Sequence, residues 1–181
     1  SSIAKGLAVC DAMLKKADVR VLRATPTGSG KFLILLTGAE ADLFEAVTEG
    51  RAVGAPFLVQ WAYLPNVHGQ VVAALARKGH ADVALRSLGA IESTSLASAL
   101  HAADIAAKTA AVTLLELTFD LDLGGKMYCT MTGELADVEA ALEAAERLLR
   151  AQGAFLHREI VARPHQGMDA IVLHGQEKPC C

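Results

Sequence analysis

Residues 27–31 are the first segment of this sequence whose composition suggests chemistry. The run Thr-Gly-Ser-Gly-Lys ends in the Gly-Lys pair of phosphate-binding loops. Such a loop needs a glycine five residues before that pair and a Ser or Thr after the lysine, but Thr25 and Phe32 stand there. A second Gly-Lys pair, in the Gly-Gly-Lys run at 124–126, also lacks the rest of the motif. The shared feature therefore indicates a flexible turn before a strand, not a nucleotide site.

The histidines and cysteines do not predict a metal site or a catalytic centre. No pair of the six histidines has the spacing of a zinc-binding helix or finger. The cysteine spacing predicts no disulfide framework, so we expect reduced thiols in a cytoplasm and a mobile tail at Cys180 and Cys181. The sequence shows no Ser/His/Asp, Cys/His or paired-carboxylate set. We therefore predict no enzyme activity, no metal and no cofactor.

The chain is a tandem duplication. Residues 2–47 align with 95–142 once two residues are inserted in the second copy. A repeat of about 93 residues is too long for a solenoid and suits two copies of a small domain. Identical pairs include Leu7/Leu100, Asp11/Asp104, Lys15/Lys108, Val19/Val112, Lys31/Lys126, Gly38/Gly133 and Asp42/Asp137.

The composition narrows the class of protein. Apolar residues make up 52% of the chain but aromatic residues only 4%, so the apolar content is mostly small and aliphatic. A chain with so much apolar surface is expected to bury part of it in subunit contacts. No apolar run approaches the roughly 20 residues of a membrane span, and no signal segment is evident. A net charge of −3 without a Lys/Arg cluster argues against a nucleic-acid surface.

The pattern of apolar residues and turns predicts an α+β fold with the order β-α-β-β-α-β in each copy. The second copy is predicted as strand 88–92, a helix capped by Ser93, Thr94 or Ser95, strand 112–119, turn 120–125, strand 126–132, helix 134–150 and strand 155–162. The first copy is predicted as helix 2–16, strand 19–24, turn 25–30, strand 31–37, helix 41–53 and strand 57–64. Its opening strand is absent: either the sequence begins late, or another segment such as 170–174 fills that position. Residues 70–86 are expected to form a surface linker.

Several of these motifs, in this order, resemble bacterial microcompartment shell domains. They are residues 88–92 (LGAIE), Ala102-Ala103-Asp104 followed by Lys108, the Gly-Gly-Lys turn, and 162–165 (ARPH). Two such domains in one chain are similar to the trimer-forming tandem class, and most similar to its propanediol-utilisation members. The resemblance implies a structural, self-assembling shell protein with domains at 1–75 and 87–168, a linker at 76–86 and a tail at 169–181.

The resemblance also implies a pseudo-hexameric homotrimer, placed with other shell proteins in the shell of a microcompartment in the bacterial cytoplasm. In the family, the turn between the second and third strands lines a central pore for small metabolites. These positions are Thr27, Gly28, Ser29 and Gly30 in the first copy, and Asp120, Leu121, Asp122, Leu123 and Gly124 in the second. The family's tile edges correspond here to Lys15, Lys108, Asn66, His68, Arg163 and His165.

One departure from the propanediol relatives bears on electron transfer. A cluster-binding relative has a cysteine at the position of Gly28, and thiolates are what hold an iron–sulfur cluster. We therefore expect no cluster. The alternatives are an electron-transfer shell protein with an iron–sulfur cluster, and a trimeric metabolite-binding regulatory domain.

Overall fold

The structure, a computed structural model, describes residues 2–27, 30–75, 83–118 and 126–173. These residues form two compact units, one from residues 2–65 and one from residues 66–173 with the gaps just given. In the described part of the chain, no helix is both long and apolar enough to cross a bilayer.

The first unit consists of two helices and one β-hairpin. Helix α1 spans Ile3–Lys16, strand β1 Val19–Thr27, strand β2 Lys31–Gly38 and helix α2 Glu40–Gly54, followed by a 3₁₀ turn at Ala55–Phe57. Strands β1 and β2 pair antiparallel. Ser2 caps the N-terminus of helix α1: its hydroxyl accepts the backbone N–H of Lys5 at 3.2 Å and so satisfies one of the helix's free donors.

The core of the first unit is small. Among its described residues, the buried apolar cluster consists of Met13, Val19 and Ala46, with half-buried neighbours packed around them. Helices α1 and α2 approach closely where Met13 meets Gly50, because a Cβ at Gly50 would lie 2.7 Å from the sulfur of Met13. A glycine in α2 therefore makes room for a long side chain of α1.

The second unit opens with helix α3, Gly69–Leu75, and contains a complete sheet. The remaining elements are β3 Ser87–Ser93, α4 Leu96–Thr109, β4 Thr113–Thr118, β5 Met127–Gly133, α5 Leu135–Ala151, β6 Phe155–Val161 and α6 Met168–Val172. The strands pair antiparallel in the order β4-β5-β3-β6. From β3 to β6 the chain follows the predicted β-α-β-β-α-β order, with element bounds within a few residues of those predicted.

Close packing of α5 on the sheet gives the second unit a larger core. Gly89 of β3 permits that approach, since a Cβ there would lie 2.7 Å from Val138 and 3.0 Å from Leu142. Alanines line α4, and their small side chains allow the two helices to pack side by side. The fully buried larger side chains are Leu114, Leu117, Met131, Leu142, Leu149, Val71, Val138 and Cys129.

Two predicted strands are wrong. The first-copy strand at 57–64 is a 3₁₀ turn up to Phe57 and then irregular backbone. Its residues are apolar enough for a strand, but β2 pairs only with β1 among the described residues, so the segment has no ladder to join. Residues 170–173, the described part of the other candidate segment, do not form a strand either. They fall largely in helix α6, and Leu173 packs against Leu88 and Leu115 of the second unit.

The expected surface linker at 70–86 is partly helical and partly buried. Helix α3 occupies Gly69–Leu75, and its Val71 and Ala74 are each only 1% exposed. Val83 and Leu85 pack on the apolar cluster around Leu88. Residues 76–82 and the Cys180-Cys181 tail lie outside the described residues. The domain boundaries remain a prediction.

Candidate functional site

A β-hairpin flanks the predicted pore positions in each copy: β1 and β2 flank residues 27–30, and β4 and β5 flank residues 120–124. In the first unit, Thr27 pairs with Lys31 at the tip of β1 and β2. Gly30 has a φ of +69°, a conformation that L side chains rarely adopt, which explains a glycine at this turn. Gly28 and Ser29 lie outside the described residues, as do the second-copy residues 120–124. The last described pair before that second turn is Thr118 with Tyr128.

The two predicted edge lysines occupy the last turns of the corresponding helices α1 and α4. Each pairs with an aspartate one turn earlier: the ammonium of Lys15 lies 2.6 Å from Asp11, and that of Lys108 lies 2.6 Å from Asp104. A cation near the C-terminus of a helix also interacts favourably with the helix dipole. Both lysines are exposed, so both ammonium groups can reach a neighbouring molecule.

The remaining predicted edge residues follow the closing segment of each copy. Asn66 is exposed and has a φ of +50°, while Arg163 and His165 are exposed and His68 is half-buried. Both histidines have the same local role. The Nδ1 atom of His68 accepts the N–H of Gln70, and that of His165 accepts the N–H of Gly167. Each carbonyl also accepts an N–H three residues later, so each histidine fixes the start of a short helix.

The structure brings two of the predicted edge residues together, through a contact that sequence reasoning missed. The backbone N–H of His68 donates to Asp104 Oδ1 at 2.7 Å, and Lys108 holds the other carboxylate oxygen. The i,i+4 spacing signals the Asp104–Lys108 pair. No spacing rule signals the contact between His68 and Asp104, which are 36 residues apart in sequence.

The described cysteines are poor candidates for metal or redox chemistry. Burial, with a smaller contribution from the charge of Glu116, raises the pKa of Cys129 to about 12. Burial and the neighbouring Asp11 also raise the pKa of Cys10. Both groups are therefore neutral thiols near neutral pH, whereas metals and electrophiles require thiolates. Within the described ranges, no three His, Cys, Asp or Glu side chains are grouped as a metal site requires.

Comparison with known proteins explains the repeated hairpins and helices. Residues 1–67 and 87–164 each match the model of the BMC domain. The bacterial microcompartment shell protein PduT of Citrobacter freundii is 34% identical over 175 residues, which cover 97% of this chain and 95% of PduT. The chain belongs to the bacterial microcompartment shell-protein family. The family resemblance read from the sequence motifs is thereby confirmed, as is the duplication.

A solved structure shows that the likeness extends to the fold. The crystal structure of a microcompartment protein from Desulfitobacterium hafniense superposes with a TM-score of 0.88 at 37% identity, covering 93% of each chain. The carboxysome assembly protein CcmO of Synechococcus elongatus is 30% identical over 155 residues, which cover 76% of this chain and 55% of CcmO. This protein is therefore a structural shell protein with two BMC domains.

Proposed function

We propose that three copies of this shell protein form a pseudo-hexagonal tile with a pore for small polar metabolites at its centre. The observation that carries the proposal is the repeated β-hairpin: β1 pairs with β2 and β4 pairs with β5, on either side of the predicted pore residues. Three chains would supply six domains, and closed cyclic symmetry would place equivalent tips around one axis. Hydroxyl groups and backbone amides at Thr27–Gly30, with the carboxylates of Asp120 and Asp122, would then line a polar opening.

The exposed apolar side chains support assembly. Phe44 is 69% exposed, Val59 61% and Leu7 59%, all within the first unit. Large apolar patches on a soluble protein commonly mark subunit contacts. Such contacts would cover these side chains in the trimer. Lys15, Lys108 and the turns at Asn66–His68 and Arg163–His165 would form the lateral edges between tiles, next to other shell proteins of the same compartment in the bacterial cytoplasm.

The first test is native mass spectrometry of the purified protein in mild buffer. Three chains of 18.9 kDa give a mass of about 57 kDa. A bare trimer supports the tile, while a monomer removes the shared axis and contradicts it. Additional iron and sulfide mass would instead favour an electron-transfer shell protein. Tight, saturable binding of one metabolite would favour a regulatory domain over an open pore.

The second test separates edges from trimers. In the Lys108→Ala variant we expect an intact trimer that forms lateral sheets only at higher protein concentration, because the variant loses an edge donor. Light scattering and electron microscopy would measure the concentration at which sheets appear. Unchanged sheet formation by this variant would show that Lys108 is not at a tile edge.

A further inference from the structure

The two lysine pairs are chemically identical but held differently. Asp104 is shared between two donors, since the His68 N–H binds Oδ1 at 2.7 Å and Lys108 binds Oδ2 at 2.6 Å. Its side chain is only 15% exposed, whereas that of Asp11 is 62% exposed. Among the described residues, Asp11 is bound by Lys15 alone. The exposure of the lysine side chains differs in the same direction: Lys108 is 41% exposed and Lys15 is 75% exposed.

The segment that holds Asp104 is itself fixed to the second unit. The side-chain amide of Gln70 donates to the carbonyl of Val112 at 3.0 Å and accepts the N–H of Leu114 at 2.8 Å. The Gln70 side chain thus satisfies two backbone groups at the outer edge of β4. The hydrogen bonds of Gln70 therefore fix the segment that carries the His68 N–H. That N–H in turn restrains the carboxylate of Asp104, which binds Lys108.

We propose that Asp104 is a positioning residue that makes Lys108 the stronger of the two lysine edges. The inference rests on the proposed role of Lys108 in tile contacts. A two-fold edge between identical tiles places the same residue on both sides, so two ammonium groups approach each other. A lysine that carries its own fixed carboxylate enters such a contact with less repulsion. It also loses less side-chain freedom on binding, and it keeps two of its three N–H donors for a neighbour.

The duplication supplies a matched pair of variants for the test. Asp104→Asn keeps an oxygen that can accept the His68 N–H but removes the charge beside Lys108. Asp11→Asn makes the same change in the first unit. We expect Asp104→Asn to retain the trimer mass and melting temperature while raising the concentration needed for sheets about threefold. Asp11→Asn should leave that concentration nearly unchanged. Equal shifts for the two variants would overturn the proposal.

A second measurement needs no assembly into sheets, and it starts from the wild-type protein. Competitive amine labelling of the dilute wild-type protein, read by mass spectrometry, should show Lys108 reacting more slowly than Lys15. Asp104→Asn should then raise the labelling of Lys108 alone. Equal reactivity of the two lysines in the wild-type protein would contradict a restrained Lys108.

The outcomes also separate this proposal from the tile edge itself. If Lys108→Ala leaves sheet formation unchanged, the edge assignment fails and the positioning role fails with it. If Lys108→Ala impairs sheets but Asp104→Asn does not, the edge stands and only the positioning role is lost.

Discussion

The two units of this shell protein derive from one duplicated sequence, but their described residues form sheets of different size. In the second unit, β3 pairs with β5 on one side and β6 on the other, and the sheet has four strands. In the first unit, the described residues form only the hairpin of β1 and β2. The segment that corresponds to β6, residues 57–64, is irregular backbone from Leu58 onward and leaves Leu58, Val59 and Trp61 exposed.

This difference shows that a closing strand is a tertiary feature and not a local one. The corresponding helix still contacts its closing segment in both units: Arg51 lies 4.5 Å from the Trp61 ring centroid, and Glu146 binds Arg158 at 2.7 Å. These contacts place the segment beside the helix. They do not make it a strand, because a strand needs a neighbour to receive its backbone hydrogen bonds.

The largest expected effect comes from damaging β3, the strand that completes the second unit. Gly89→Val would force its side-chain carbons against Val138 and Leu142. A Cβ atom alone at this position would lie within 3.0 Å of both side chains. Overpacking of this kind should lower the free energy of unfolding by about 3 kcal/mol. Denaturant unfolding followed by circular dichroism would measure the loss. Gly69→Ala is the control, because no atom lies within 4 Å of a Cβ there.

The single tryptophan makes this experiment specific to one unit. Trp61 lies in the first unit, so its fluorescence reports on that unit while circular dichroism reports on both. We expect Gly89→Val to shift the dichroism transition more than the fluorescence transition. Coincident shifts would show that the two units unfold as one cooperative body.

The success of sequence reasoning differs between the units for the same reason. Helix starts are local: the predicted caps include Ser95, whose hydroxyl accepts the N–H of Ser98 as Ser2 does for Lys5. The hairpins also follow from local patterns, although β1 runs on to Thr27 through part of the predicted turn. The conformation of residues 57–64 could not be predicted from their own pattern, since a segment becomes a strand only when a strand distant in sequence pairs with it. The His68–Asp104 contact was missed for that reason too.

An intermediate effect on the free energy of unfolding is expected at the helix–helix contact, where the two units pack different side chains at equivalent positions. Helix α1 meets α2 through Met13 and Gly50, and the aligned positions of α4 and α5 are Ala106 and Ala145, both fully buried. Met13→Ala should cost about 2–3 kcal/mol through lost burial and a cavity. Gly50→Ala should cost about 1 kcal/mol, because the clash with Met13 outweighs the gain in helix propensity.

The double variant is the informative one. Met13→Ala with Gly50→Ala reproduces the alanine pair of the second unit, and we expect its cost to be at least about 1 kcal/mol below the sum of the single costs. Denaturant unfolding followed by Trp61 fluorescence reports on the affected unit. Additive costs would show that the two helix crossings are not interchangeable solutions.

The smallest expected effect concerns the ion pair that attaches β6 to α5. Glu146 receives Arg150 at 2.6 Å and Arg158 at 2.7 Å, so it joins the helix to the closing strand. The hydrogen bond from Arg150 lowers the pKa of Glu146 below its usual 4.5, aided by the charges of Arg158 and Arg150 and opposed by burial.

A lowered pKa means that the folded protein favours the charged carboxylate. The stabilisation is therefore complete above pH 4.5 and is lost as the pH falls through the lower pKa of the folded state. Glu146→Gln should destabilise the protein near neutral pH, and the difference from wild type should shrink as the pH falls below 4.5 and through the lowered pKa of Glu146. Glu143→Gln is the matched control, because the partner of Glu143 in the described part of the chain is Arg147 on the same helix, at 3.9 Å. A pH-independent difference for Glu146→Gln, or an equal one for Glu143→Gln, would mean that charge does not hold β6 to its helix. Packing alone would then distinguish this closing strand from the irregular segment of the first unit.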